Sequence, residues 1–413
     1  MALVMMLLRS GMVAAILIMT VAVTVGAEEV AEQMENGYLN VPGGRLFYEK
    51  AGQGEPIVLL HDGLLHREVW DDQFRVWAAD HTVVRYDRRG YGSSDLPTEP
   101  YSDTDDLAAI FEHFKIGSAI VMGMSAGGRL AIDFTLQHPH RVTHLVLVGA
   151  VVGGMSYSQH FWGRGGRLTP EIIADPDRYR NYWTDIDPYD IWEGSTEARQ
   201  RARVLLAANP HNLSGDKHRL VIPPERSAIN HLGEIKVPTL IVVGEYDIAD
   251  VHTHAGAIEA GIAGSSRIVV PNSGHLVPLE QPEQFMQVVG TFMMAVRFFQ
   301  ALDSEGVDAA VAWYEAERRR DPEKMLFTED RLNRVGYQYL FSGDAQSAVK
   351  LFAIMVDSYP NSSNAHDSYG EALGTAGDTA EAIRHYEKSL ELNPDNTNAV
   401  RQIELLKKAG ESD

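Results

Sequence analysis

The feature that most constrains the fold is a series of short, almost uninterrupted apolar runs, alternating with helical patterns, between about Gly37 and Gln300. The strand-like runs are Pro56–His61, His81–Tyr86, Ala119–Met122, His144–Val148, Thr239–Val243 and Arg267–Val270. The main helical segments are Ser102–Phe114, Ala126–His138, Ala255–Ala263 and Glu283–Gln300. Continuous Val, Ile and Leu are typical of strands covered on both faces. The alternation therefore predicts an α/β fold, with a mostly parallel sheet between layers of helices.

Two segments depart from this rhythm. Gly37–Ala51 carries Pro42-Gly43-Gly44 at its middle, which predicts an antiparallel hairpin leading into the sheet. Val151–Gly233 is rich in aromatic residues, lacks β alternation and is too long for a simple connection. We expect a mostly helical insertion over about residues 151–233, which forms a lid above the carboxyl edge of the sheet. A helical subdomain with only a packing role is the alternative.

The N-terminus is typical of a targeting segment. Arg9 is the only charge before Glu28, Gly11–Val25 is apolar, and small residues follow in Val25-Gly26-Ala27. This pattern predicts a signal peptide over residues 1–27 and an exported protein, periplasmic or secreted. A retained membrane anchor is the alternative, although the run is shorter than the roughly 20 residues of a spanning helix.

Composition excludes some classes of function. The chain has no cysteine, so disulfides, thiolate metal sites and cysteine nucleophiles are all excluded. Its formal net charge is −21, from 36 basic and 57 acidic residues, which argues against nucleic acid as a partner. We expect a protein that is held together by a large core and that needs neither metal nor organic cofactor.

A second period begins at about Leu332. Gly336, Leu340, Gly343, Ala348, Phe352 and Pro360 recur as Gly370, Leu373, Gly377, Ala382, Tyr386 and Pro394. Five of these pairs are 34 residues apart and the leucine pair is 33 apart. A 34-residue helix–turn–helix unit with small residues at the crossings resembles the tetratricopeptide (TPR) family.

The resemblance implies TPR repeats over residues 332–410. Gly306, Ala310, Tyr314 and Pro322 sit at loosely similar offsets, so residues 301–331 are either a linker or a degenerate earlier repeat. Such arrays need about three units to bury their faces, which favours the degenerate repeat. The repeats imply a protein partner or self-association, and simple packing against the preceding domain is the alternative.

The nucleophile candidate is Ser125. Gly123-Met124-Ser125-Ala126-Gly127 is a G-x-S-x-G motif between a predicted strand and a predicted helix, where a tight turn raises the serine hydroxyl above the sheet. The helix N-terminus then favours a developing oxyanion. We expect the N–H of Ala126 to be one of its donors.

Base and acid candidates follow the last two predicted strands. His275 lies in the Gly-flanked loop after Arg267–Val270, and Asp247 follows Thr239–Val243. Glu245 and Asp250 compete with Asp247 for the role of orienting the imidazole. The order Ser…Asp…His is that of α/β-hydrolases. A third candidate segment, His61-Asp62-Gly63, follows Pro56–Leu60, and there Gly63 or else Leu64 would supply the second oxyanion donor.

Together these segments resemble the α/β-hydrolase superfamily, in the broad group of lid-bearing esterases and lactonases, over residues 37–300. The segments that carry the resemblance are Val58–Gly63, Asp87–Ser94, Gly123–Gly127, Pro238–Asp247 and Gly274-His275. The resemblance implies that Asp247 is the acid, that His275 is the base, and that Asp87–Ser94 is a structural turn. The family usually has glycine where this chain has Asp62. Either that carboxylate points away from the developing oxyanion, or the oxyanion hole serves an unusual reaction.

The sequence therefore predicts an α/β-hydrolase domain over residues 28–300, acting as a serine hydrolase on a carboxylic ester or lactone through an acyl-enzyme. The aromatic-rich insertion favours a substrate with an apolar or cyclic group. Carbon–carbon hydrolysis, amide hydrolysis and cofactor-free peroxidation by the same residues are alternatives, since one fold supports several reactions. An exported TPR scaffold with an inactive hydrolase domain is the remaining alternative.

Overall fold

The computed structural model describes residues 34–163, 168–186, 191, 194–213, 219–320 and 327–410. The chain divides into two compact units, with the division between Gln287 and Val288. The signal peptide predicted over residues 1–27 lies outside the described residues.

The first unit is built on one eight-stranded sheet. Its strands are β1 (Glu35–Val41), β2 (Gly44–Ala51), β3 (Pro56–Leu60), β4 (Thr82–Tyr86), β5 (Ala119–Met124), β6 (Val142–Val148), β7 (Thr239–Gly244) and β8 (Ser266–Val270). Their spatial order is β1-β2-β4-β3-β5-β6-β7-β8. The hairpin β1–β2 is antiparallel, β2 pairs antiparallel with β4, and β3 to β8 are mutually parallel. The predicted hairpin and parallel sheet are confirmed.

Helices of the first unit lie between these strands. They are α1 (Asp71–Trp77), α2 (Asp103–His113), α3 (Ala126–Gln137), α4 (Gln159–Gly163), α5 (Pro170–Ala174), α6 (Pro176–Asn181), α7 (Thr196–Ala208), α8 (Ala249–Gly261) and α9 (Val277–Glu280). Short 3₁₀ turns cover Arg67–Trp70, Pro139–Arg141, Pro210–Leu213, Ala228–Asn230 and Leu232–Glu234, and Tyr182–Ile186 is a π-helical turn. Helices α4 to α7 belong to the insertion between β6 and β7, whose described residues also include non-helical stretches such as 151–158 and 219–227.

The core explains the continuous apolar runs. Val58, Val121, Leu147 and Ile241, from four adjacent strands, are fully buried in one cluster with residues of α2, α3 and α8. Because helices cover both faces of these strands, each position along them is shielded from water. Because β3, β5, β7 and β8 are parallel, their carboxyl ends lie at the same edge of the sheet. The candidate site residues come directly after these strand ends.

Helix α10 (Pro282–Glu305) crosses the division between the two units. By length and composition alone it could span a membrane, with a mean hydropathy of 1.4 over its most apolar window. Phe285 and Phe298 are nevertheless fully buried within their respective units. Packing therefore accounts for at least these apolar positions.

The second unit is a series of paired helices. They are α11 (Val307–Arg320), α12 (Glu329–Phe341), α13 (Ala345–Ser358), α14 (Ser363–Thr375), α15 (Thr379–Leu392) and α16 (Thr397–Gly410). The 34-residue spacing has a direct packing cause. Gly336 of α12 faces the buried ring of Phe352 on α13, and Gly370 of α14 faces that of Tyr386 on α15. A glycine at each crossing lets an aromatic ring from the next helix approach the backbone.

Candidate active site

Ser125 sits in a strained turn between β5 and α3. Its φ is 53° and its ψ is −113°, a region that non-glycine residues seldom adopt and that costs on the order of 1–3 kcal/mol. The turn is held by the Ser125 N–H, which donates to the Val148 carbonyl at 2.8 Å. Serine and the adjoining Ala126 remain partly exposed although β5 itself is buried.

The two motif glycines are required by close backbone approach. A Cβ at Gly123 would lie 2.3 Å from the Gly127 carbonyl oxygen, and one at Gly127 would lie 2.4 Å from that of Leu60. Real Cβ atoms essentially never come so close. The motif therefore follows from the packing of α3 against the ends of β3 and β5.

His275 and Asp247 are brought together, although 28 residues separate them in the chain. The Nδ1 of His275 lies 2.8 Å from the Oδ2 of Asp247, whose other oxygen accepts the N–H of Ile248 at 2.8 Å. The aspartate side chain is 1% exposed and the histidine side chain 12% exposed. With Nδ1–H donating to the carboxylate, the Nε2 of His275 is the nitrogen left to act as a base.

Competing acids have other partners. The Glu245 carboxylate accepts the N–H of Asn272 at 3.2 Å. Asp250 accepts both the N–H and the hydroxyl of Ser158, at 2.6 and 2.7 Å. Of the three acids considered from sequence, Asp247 is thus the one placed against the imidazole.

Gly149 adjoins both the turn that carries Ser125 and the Asp247–His275 pair. It directly follows Val148, which holds the Ser125 turn, and its φ is 51°. A Cβ there would lie 3.0 Å from the His275 Nδ1 and 3.3 Å from the Asp247 Oδ2. The nucleophile turn and the Asp–His pair therefore adjoin the same residue at the carboxyl end of β6.

Glu280 fixes the loop that carries His275. Its carboxylate accepts the N–H of Gly274 at 3.0 Å and that of Leu276 at 3.1 Å, the residues on either side of the imidazole. Sequence reasoning missed this contact, because an acid five residues after a histidine has no distinctive pattern. Glu280 restricts the backbone of His275 and so the direction of its ring.

The loop after β3 approaches the nucleophile turn. Gly63 is exposed, and a Cβ there would lie 3.6 Å from that of Ala126, so the two predicted oxyanion donors are neighbours. Leu64, the alternative donor, gives its N–H to the Asp62 Oδ1 at 2.5 Å, and Leu65 gives its N–H to the same oxygen at 2.8 Å. The Asp62 carboxylate thus turns back into its own loop, and within the described residues the Gly63 N–H has no hydrogen-bond partner.

Hydrogen bonds connect the insertion between β6 and β7 to loops at this edge of the sheet. The Asn212 amide accepts the N–H of Gly92 through its oxygen and donates its Nδ2 to the Nδ1 of His66, which follows the Asp62–Leu65 turn. The ring of His66 also lies 2.8 Å from Glu68, whose pKa is lowered to about 2 by that hydrogen bond. The described part of the chain gathers no group of three or more histidine or carboxylate side chains able to hold a metal ion.

Comparison with known proteins identifies both parts of the chain. Residues 57–288, more than half of its length, match the α/β hydrolase family, and residues 363–396 match a tetratricopeptide repeat. A 2-hydroxy-6-oxononadienedioate/2-hydroxy-6-oxononatrienedioate hydrolase of Klebsiella pneumoniae is 30% identical over 281 residues, which cover 63% of this chain and 96% of that protein.

Solved structures share the fold at lower identity. The enol-lactonase of Burkholderia xenovorans has a TM-score of 0.52 and 22% identity, covering 62% of this chain and 99% of that one. An esterase from Exiguobacterium antarcticum has a TM-score of 0.53 and 23% identity, with the same coverage. The predicted fold is confirmed, and the chain belongs to the α/β hydrolase family, with a C-terminal tetratricopeptide repeat.

Proposed function

We propose that the protein is a serine hydrolase that cleaves a carboxylic ester or lactone. The Nε2 of His275 takes the hydroxyl proton of Ser125 as the serine oxygen attacks the carbonyl carbon. The N–H groups of Gly63 and Ala126 bind the resulting oxyanion. Its collapse breaks the C–O bond, and His275 returns the proton to the leaving alcohol. Water, activated by the same base, then releases the acid and restores Ser125.

The observation that carries this proposal is the contact between Asp247 and His275 beside Gly149. A buried carboxylate holds the imidazole in the tautomer whose Nε2 is a base, while Ser125 and Ala126 remain partly exposed and Gly63 exposed. Acyl transfer needs a buried acid that orients the imidazole, together with a nucleophile and oxyanion donors that the substrate can reach.

A second candidate function uses the same residues but cleaves a different bond. The Klebsiella relative is named as a hydrolase of a dienedioate, which points to carbon–carbon hydrolysis as the alternative reaction of the same three residues. We favour the ester or lactone because the proposed mechanism then needs only a leaving oxygen that accepts one proton from His275. A carbon leaving group must first be stabilised as a carbanion or enol.

A fluorophosphonate probe tests the chemistry and a substrate panel tests the bond. We expect the wild type to be labelled, Ser125→Ala to be unlabelled, and Ser93→Ala, which alters an exposed serine of the same unit, to be labelled like the wild type. The panel would contain short-chain esters, γ- and δ-lactones and a 2-hydroxy-6-oxo-dienoate, with kcat/KM measured for each.

An unlabelled, folded wild type would contradict the proposal and favour an inactive scaffold. Turnover of the dienoate alone would retain the three residues but replace the ester by a carbon–carbon bond. Turnover of esters or lactones that disappears in Ser125→Ala would support the function as stated.

We further propose that the protein is exported and that its repeats contact a protein partner or a second copy of the chain. The targeting pattern before Glu28 and the tetratricopeptide match support these two points respectively. Periplasmic fractionation with N-terminal sequencing tests the first, expecting a mature chain that starts near residue 28. Light scattering of the full chain across a concentration series tests self-association.

A further inference from the structure

Arg88 is a buried arginine in the loop that follows β4. It is 6% exposed, no carboxylate of the described residues forms a salt bridge with it, and its Nε has no hydrogen-bond partner. Neighbouring Arg89, by contrast, is paired with Asp106. Burying a charge without a paired ion costs several kcal/mol, so such a residue calls for an explanation.

The charge on Arg88 nevertheless persists. Burial by itself lowers the pKa of the group, but nearby acidic groups, among them the Asp103 and Asp62 carboxylates, outweigh it and the pKa is raised overall. Burial also raises the pKa of Tyr91 to about 12, so its hydroxyl stays protonated and can donate. A permanent positive charge therefore lies beneath the loop that follows β3.

This charge is directed at one peptide group. The Nη2 of Arg88 donates to the Asp62 carbonyl oxygen at 2.7 Å. His61 accepts the backbone N–H of Arg88 on Nε2, so its proton is on Nδ1, which lies 2.8 Å from the same carbonyl. One carbonyl thus receives two side-chain donors, one of them charged.

That carbonyl belongs to the peptide whose N–H is the Gly63 oxyanion donor. A trans peptide is planar, so fixing its C=O towards Arg88 and His61 points the N–H in the opposite direction. Charge-assisted hydrogen bonds are stronger than neutral ones, and hydrogen bonds in series strengthen one another by about 10–30% each. The Gly63 N–H is consequently both oriented and made a better donor.

The peptide between Gly63 and Leu64 is also held by hydrogen bonds. Of the N–H groups of Gly63, Leu64 and Leu65, that of Gly63 is the one without a hydrogen-bond partner in the described part of the chain. The hydroxyl of Tyr91 donates to the Gly63 carbonyl at 3.0 Å, and the Arg88 guanidinium lies over the Tyr91 ring, 4.9 Å from its centre. The Leu64 N–H is taken by the Asp62 carboxylate. The Oδ1 of Asp62, the residue that replaces the usual glycine, therefore closes the turn by accepting the N–H groups of Leu64 and Leu65.

We propose that Arg88 is a positioning residue for the oxyanion hole, which acts through the Asp62–Gly63 peptide to aim and polarise the Gly63 N–H. This inference rests on the proposed function, since it requires an oxyanion at Ser125. It gives the Asp87–Ser94 turn a part in catalysis beyond shaping the backbone.

Arg88→Met tests the proposal, with Arg89→Met as the matched control in the same turn. We expect Arg88→Met to lower kcat about 10–100-fold, somewhat less than the 10²–10³ typical of losing an oxyanion donor outright, with KM changed less than 3-fold. Its acyl-enzyme ester carbonyl should absorb at higher infrared frequency than in the wild type, because a weaker donor polarises it less. Arg89→Met should lower stability yet leave both kcat and the carbonyl frequency of folded protein unchanged.

Tyr91→Phe provides a second variant that removes one hydroxyl, in case Arg88→Met does not fold. We expect a smaller fall in kcat and a carbonyl shift in the same direction. An unchanged carbonyl frequency in every folded variant of Arg88 or Tyr91 would overturn the inference while leaving the serine hydrolase intact. Absence of fluorophosphonate labelling in the wild type would instead overturn the proposed function.

Discussion

The two units of this protein are stabilised by different kinds of contact, long-range in the α/β unit and local and repeated in the helical unit. In the α/β unit the candidate site depends on contacts between residues far apart in the chain, such as Asp247 with His275 and Arg88 with Asp62. In the helical unit the same glycine–aromatic contact recurs after 34 residues, as Gly336 with Phe352 and Gly370 with Tyr386. Long-range contacts permit several reactive groups to meet at one point, whereas repeated local contacts give a stability that accumulates unit by unit.

The largest effect should come from breaking one long-range contact. Asp247→Asn leaves the shape of the side chain but favours the wrong imidazole tautomer, and we expect kcat to fall about 10³–10⁴-fold. Asp250→Asn, which alters an acid bound to Ser158, should change kcat by less than 5-fold. Steady-state kinetics with the best substrate of the panel measure both. Equal losses in the two variants would mean that Asp247 has no special role.

The next effect concerns the backbone beneath the nucleophile. Gly127→Ala places a methyl group 2.4 Å from the Leu60 carbonyl, and because neither backbone can move freely we expect a loss of about 3 kcal/mol or more in the free energy of unfolding. Gly290→Ala, on α10 with nothing within 4 Å, should instead be neutral or slightly stabilising through helix propensity. Urea unfolding of both variants provides the comparison, and a stable Gly127→Ala protein would contradict this packing.

Acid should weaken the α/β unit through His144. Burial on β6 lowers its pKa to about 4, so the unfolded chain binds the proton more readily below its ordinary value of 6.5. Stability is therefore complete above about pH 6.5 and falls as the pH drops towards 4, by as much as about 3 kcal/mol from this group. The free energy of unfolding of the wild type and of His144→Gln, measured from pH 7.5 to 4.5, should show a smaller slope in the variant. Parallel slopes would exclude His144 as the cause.

Substitutions in the repeats should have the smallest effect on the free energy of unfolding, and the two glycines should differ in that effect. Gly336→Ala brings a methyl group 2.6 Å from the Phe352 ring and should cost about 1–2 kcal/mol after the gain in helix propensity. Gly370→Ala leaves 3.1 Å to Tyr386, and we expect it to lie within about 1 kcal/mol of the wild type. Thermal unfolding measures the difference, and kcat should be unchanged in both. A larger loss in Gly370→Ala than in Gly336→Ala would contradict the closer approach of the aromatic ring at Gly336.

Much of this architecture could be predicted from local patterns. The strands β3 to β8 begin and end within about two residues of their predicted positions. For β3 to β7 the reason is that residues buried on both faces are mostly apolar, whereas the first four residues of β8 are exposed. Helix α8 begins at Ala249, not at Ala255 as predicted, since its first turn carries the polar residues Asp250 and His252 and lacks an apolar period. Helix α1 was not predicted.

Only the part of the candidate site that follows from the order of motifs along the chain could be predicted. Order along the chain was enough to predict Ser125, Asp247 and His275 as a set, and the structure brings Asp247 against His275. Contacts of Glu280 and Arg88 were not foreseen, because both act on backbone groups, which every residue has and which leave no mark in the sequence. The orientation of Asp62 was likewise open until the N–H groups of Leu64 and Leu65 were seen to hold it.

Helix α10 has a practical consequence for how the chain can be divided. Its first turns carry Phe285, whose ring lies against Trp70 and Trp77, and its last turns carry Phe298 and Leu302 of the repeat core. A truncation at Gln281 would remove the Phe285 ring from the α/β unit, and one at Glu305 would leave Phe298 and Leu302 without the helices that cover them. A cut between the two units therefore falls within a continuous helix and not at a linker.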